Sequence, residues 1–118
     1  MIIVIALAGS LGAICRFLLS SLLNRMPAQL ALFSTTIINL VGSFLLGLCF
    51  GLSTKNPDLH HYFLILSYGF FAAFTTFSTF SYEAYTLIKR SKIRGVLFIL
   101  ISVIIATCCS GLGVILIN

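Results

Sequence analysis

The chain has 118 residues, 60% of them hydrophobic and 8% charged, against roughly 45 to 50% apolar and about 25% charged in soluble domains. Asp58 and Glu83 are its only acids beside seven bases, so paired-carboxylate catalysis, carboxylate-caged metals and hydrolytic triads lack raw material. A mean hydropathy of +1.20 leaves no solvated basic face to lie along nucleic-acid phosphates, despite a net charge of +5. The composition is that of a membrane protein and not of an enzyme, and its basic residues read as topology signals.

One membrane crossing needs about 20 apolar residues, and the polar clusters divide the sequence into spans of about residues 2–23, 30–52, 62–88 and 96–117. The predicted fold is an all-α integral membrane protein, a single four-helix transmembrane domain over residues 1–118. No basic residues follow Met1 directly and Arg16 interrupts the apolar run, so the first stretch reads as a span and not as a signal peptide. In it, Ala8-Gly9-Ser10-Leu11-Gly12-Ala13 sets small residues at a spacing that lets another backbone approach. Arg16 follows deep in the helix, where a lone charge costs roughly 2.5 to 3.5 kcal/mol. It must face water, protein or an ion, or snorkel to the headgroups.

The second span places Asn39 near mid-membrane, with Ser43, Gly47 and Gly51 following at four-residue intervals on the same face. Such a stripe makes a helix contact, and the amide at its head either bonds across that contact or faces a solute. In the next loop, His60 and His61 beside Asp58 read as solvated side chains rather than as a metal site. The third span carries Thr75-Thr76-Phe77-Ser78-Thr79-Phe80 close to the bilayer centre. Hydroxyls there can serve freed backbone groups, so the third helix is predicted to break at mid-membrane. Phe77 and Phe80 project from one face. The last span has Ser102, Ala106 and Ser110 on one stripe, Ser110 serving either that stripe or its own helix carbonyl. Cys15, Cys49, Cys108 and Cys109 all fall inside spans and read as small apolar packing residues.

Charge gives the orientation. The first and third loops hold Arg25, Lys89, Arg90, Lys92 and Arg94, while the opposite side has only Lys55. The positive-inside rule puts those two loops in the cytoplasm and both termini outside. Arg16 and Glu83 then lie seven and five residues before the cytoplasmic ends of their spans, and are expected to pair or to share a polar vestibule.

These residues resemble the small bacterial fluoride channels called Fluc or CrcB over nearly the whole chain. Gly9 to Phe17 is similar to the family's G-x-x-G-A-x-x-R-aromatic pattern, Asn39-Leu40-Val41-Gly42-Ser43-Phe44 to its N-x-x-G-S-F, and Thr75 to Phe80 to its T-T-F-S-T-F signature without a mismatch. The resemblance implies a passive fluoride channel in the bacterial cell membrane, built as an antiparallel dimer with two narrow pores and needing no cofactor or energy source. It implies Phe77, Phe80, Asn39, Thr79 and Ser102 as the residues serving the anion. It also implies a structural sodium ion held by backbone carbonyls at Ala72 and Thr75, where this chain carries Ala72-Ala73 in place of the usual Gly-Gly. Phe98 stands where many relatives have a tyrosine.

Two other readings have chemical content. A small-multidrug-type exporter has this length and span number, but its coupling needs an acid in the first helix, which here has Arg16 and none. A non-conducting subunit supporting a partner's pore would tolerate the changes at Ala72, Ala73 and Phe98. The five-to-one charge bias opposes insertion in both directions, as an antiparallel homodimer requires, and so favours an oppositely oriented homologue as partner.

Overall fold

The computed structural model describes residues 1–25, 27, 34–75 and 77–117. Its elements are α1 (Ile2–Asn24), α2 (Ser34–Lys55), a 3-10 turn (Pro57–Leu59), α3 (His60–Ile65), a π-helical turn (Leu66–Phe71), α4 (Ala72–Phe74), α5 (Phe77–Arg90) and α6 (Lys92–Ile117). Four helical segments are long and apolar enough to cross a membrane: α1, α2, the composite Pro57–Arg90 and α6. The fold is the all-helical one that the hydropathy predicts. Residue 30, the expected start of the second span, and Thr76 lie outside the described residues.

The helices outrun the expected spans. α2 continues to Lys55, the third span opens at Pro57, and α6 starts at Lys92 rather than near Val96. Hydropathy marks the hydrocarbon slab, whereas backbone hydrogen bonding carries each helix on into the headgroup layer, where charged side chains are solvated. The bundle's longest axis is 48 Å, close to the roughly 40 to 45 Å of a bilayer with its headgroups. The expected loop between the third and fourth spans contracts to Ser91 between two helices. Gly95 makes that corner possible, because a Cβ there would stand 2.7 Å from the Ile88 amide nitrogen.

Small residues set the packing. α1 lies on the π-helical turn: a Cβ on Gly12 would strike the Phe70 carbonyl, and one on Gly69 would stand 2.7 Å from the Ile5 oxygen. α2 and α6 pack side by side, with Gly47 against the Ser110 carbonyl and Gly113 against the Phe44 carbonyl. Gly51 further along meets Val114 and Ile117, beyond the Ser110 and Gly113 that meet Gly47, so contacts advance in the same direction along both helices and the two run parallel, as alternate spans must. Among the described residues, the buried apolar side chains are only Ile38, Phe71, Phe74 and Ala84. Ile2, Ile3, Phe17, Ile93 and Ile115 each expose more than two-thirds of their surface, which a lipid solvent tolerates and water would not.

Candidate functional site

The third span is interrupted where the threonine-rich sequence predicts. Six residues of π-helix widen the backbone at Leu66–Phe71, a feature concentrated at functional sites. One turn later α4 ends in Thr75, whose backbone is extended at φ −83° and ψ 155°. Both the amide and the hydroxyl of Thr75 donate to the Phe71 carbonyl, at 3.0 and 2.9 Å. The extended backbone of Thr75 ends the preceding helix while its hydroxyl doubles the last helical bond to Phe71, and α5 starts afresh at Phe77.

Gly42 brings this break against α2. A Cβ on Gly42 would strike the Thr75 methyl and stand 3.2 Å from the Phe74 ring. Asn39 and Ser43 sit on either side of that approach, and a cleft of about 340 Å³ opens there, lined by Asn39, Ser43, Ser67, Thr75, Phe77 and Phe80 among others. A second cleft of about 150 Å³ lies between α2, α5 and α6, bounded by Thr36, Asn39, Phe77, Phe80, Ser102 and Ala106. Asn39, Phe77 and Phe80 therefore line both.

The aromatic rings form a ladder. Phe77 and Phe80 lie 6.1 Å apart between centroids, and Phe80 stacks on Phe98 at 5.2 Å with 26° between planes. Phe77 is 80% exposed, so within one chain both clefts are open along its edge.

Of the residues predicted for the site, Asn39, Phe77, Phe80 and Ser102 converge here. Thr79 is exposed on α5 and lines neither cleft. Ala72 and Thr75 flank the first cleft at the break. Within one chain the Glu83 carboxylate accepts a hydrogen bond from the buried Thr35 hydroxyl of α2. Arg16 lies half-buried on α1, which packs on the π-helical turn and α4 while α5 packs on α6.

Sequence reasoning missed Thr35, Thr36 and Ser67. Thr36 is three residues before Asn39 and so on its face, and its Oγ1 is buried without a partner among the described residues. Ser67 stands as a lone hydroxyl in an apolar run, within the widened turn, and lines the first cleft. Helical phase was the available signal for both, Thr36 standing three residues before Asn39 and Ser67 four before Phe71 and eight before Thr75, on the walls of the same clefts.

Comparison with known proteins joins this geometry to a lineage. The family model described as CrcB-like protein, Camphor Resistance (CrcB), matches residues 3–114. The chain belongs to the CrcB/FluC family. Among CrcB/FluC proteins, it is 40% identical to the "Fluoride-specific ion channel FluC" of Thermotoga petrophila over 95% of this chain and 90% of that one. The protein of the same name from Thermotoga maritima matches equally, at 40% with the same coverage. "Fluoride-specific ion channel FluC 1" of Leifsonia xyli subsp. xyli is 38% identical over 95% of this chain and 82% of its own. The chain is thus a multi-pass membrane protein of a channel family and not an enzyme.

Proposed function

We propose that this chain is a subunit of a passive fluoride channel, exporting fluoride from the bacterial cytoplasm, with Asn39, Phe77, Phe80, Ser102 and Thr79 serving the ion. The observation that carries the reading is the presence of Asn39, Phe77 and Phe80 on the walls of both clefts. A small anion that gives up its water needs donors, which the Asn39 amide, the Ser102 hydroxyl and electropositive ring edges supply. The Thr36 hydroxyl, buried and without a partner among the described residues, is one more. No carboxylate lines either cleft, and one there would repel the anion.

The clefts open along Phe77, which fits a path completed by a second copy or a homologue in antiparallel arrangement. Five basic residues against one favour a homologue of opposite orientation, with loops one and three of this chain in the cytoplasm and its termini outside. A structural sodium at the centre of such a dimer belongs to the same proposal. The helix ends at Phe74 with an extended Thr75, which frees carbonyls of the last turn, the hard oxygen donors that sodium takes. Ala72 has ordinary right-handed helical angles, φ −63° and ψ −35°, so the methyls at 72 and 73 ask nothing unusual of the backbone. Ala72, Thr75 and their neighbours would hold the ion through main-chain oxygens alone.

Fluoride and chloride efflux from liposomes tests the function. The chain is reconstituted alone and then with a candidate homologue of opposite charge bias, and the accessibility of terminal tags is read on both faces. Fluoride efflux without chloride efflux is expected, strongest with the oppositely oriented homologue. Efflux of neither ion under both conditions would leave the supporting-subunit reading. Robust flux from the single chain, with termini on both sides, would replace the heterodimer by a homodimer.

A further inference from the structure

Four cations crowd the corner between α5 and α6: Lys89 and Arg90 in the last turn of α5, Lys92 and Arg94 at the start of α6. All four side chains are exposed. Lys89 places its Nζ 4.8 Å from the centroid of the Tyr85 ring, and no ion pair occupies Arg90, Lys92 or Arg94 among the described residues. The chain's acids are elsewhere. Asp58 lies at the opposite end of the third span, and the Glu83 carboxylate is held by Thr35.

The surroundings fix the depth of this cluster. Tyr82 and Tyr85 are 71% and 56% exposed one to two turns before it, and Ile93 is 72% exposed within it, followed by the exposed Val96 and Leu97. Exposed tyrosines beside lysine and arginine, with an apolar surface continuing on one side, are the pattern of a helix end at headgroup level. The corner is also tight, since Gly95 lets the backbone of α6 approach Ile88. All four basic residues thus fall within the six residues 89–94 around one tight corner.

We propose that the α5–α6 corner is a binding site for the phosphate of an anionic phospholipid, whose acyl chains lie on the surface of Ile93 and Leu97. A free phosphate would use the cations but gain nothing from that apolar flank, so the lipid is the occupant the surface fits. The site does not depend on which leaflet the corner faces or on whether the chain conducts.

The test counts lipids retained by the purified protein in a neutral detergent, by native mass spectrometry, during titration with phosphatidylglycerol or with phosphatidylcholine of the same chains. Selective retention of phosphatidylglycerol is expected. Each cation at an anionic surface contributes roughly fivefold, so the variant K89Q/R90Q/K92Q/R94Q should bind at least about tenfold more weakly. R25Q/K55Q, which removes exposed charges elsewhere, should bind as the parent does. The charge-retaining variant K89R/R90K/K92R/R94K should keep the selectivity and guards against misfolding of the neutral one. Equal retention of both lipids, undiminished retention in the neutral variant, or displacement of the lipid by millimolar inorganic phosphate would overturn the proposal.

Discussion

Phe80 lies stacked on Phe98 at 5.2 Å between centroids, so one face of its ring is covered, and the ring is held in a fixed orientation beside the two clefts it lines. The edge of an aromatic ring attracts an anion, and its face repels one. A phenylalanine at 98 in place of tyrosine thus lacks a hydroxyl but still orients the ring beside it.

Phe77→Ile or Phe80→Ile should lower fluoride flux in liposomes by more than tenfold while leaving the yield of monodisperse protein near that of the parent. Apolar bulk is kept and only the ring edges go. Phe98→Leu should cost less flux than Phe80→Ile, because it frees the Phe80 ring without deleting it. Unchanged flux in both isoleucine variants of a conducting complex would reduce these rings to packing.

Gly42→Ala should be far more damaging than its one methyl implies. The new Cβ would collide with the Thr75 methyl, which cannot turn away while its hydroxyl is bonded to the Phe71 carbonyl at 2.9 Å. Overpacking of this kind costs roughly 1 to 3 kcal/mol, and here it also pushes the break away from Asn39. Loss of flux at retained helicity, measured by efflux and circular dichroism, is the expected result.

Glycines of the bundle should divide by what faces them. Gly47→Ala and Gly113→Ala strike backbone across the α2–α6 contact, whereas a Cβ on Gly111 meets nothing within 4 Å. Gly111→Ala is expected to be neutral or to stabilise its helix by up to about 1 kcal/mol, and the other two to lower the thermal midpoint in detergent. Equal behaviour of all three would contradict the parallel packing of α2 on α6.

A double-mutant cycle decides which partner Glu83 has. Thr35→Val combined with Glu83→Gln should show coupling of about 0.6 kcal/mol and up to about 1.7, the range of membrane hydrogen bonds. Arg16→Gln combined with Glu83→Gln should be additive to within about 0.5 kcal/mol. Stability toward denaturation in mixed micelles is the measurement. The reverse ranking would put Arg16 beside the carboxylate, across the interface with a second chain.

Resemblance to a known family named Asn39, Phe77, Phe80 and Ser102 for the site, while the sequence by itself determined the four spans and the break near Thr75. Those features depend on local quantities: apolar length, hydroxyls where lipid offers no other partner, and helical phase. Helix ends were less legible, because hydropathy reports the hydrocarbon slab and α2, the third span and α6 run beyond it. Only the tertiary structure decided that Gly42 admits the broken turn, that Phe98 orients Phe80, and that Ser67 lines the cleft from within a π-helical turn. It also gave Glu83 a partner on α2, where depth in the membrane had placed it to pair with Arg16 or to share a polar vestibule with it. Equal depth places two residues in one plane, but which of them touch depends on how the helices rotate and pack. That packing is set by backbone approaches at Gly12, Gly42, Gly47 and Gly113, whose partners lie more than 30 residues away along the chain.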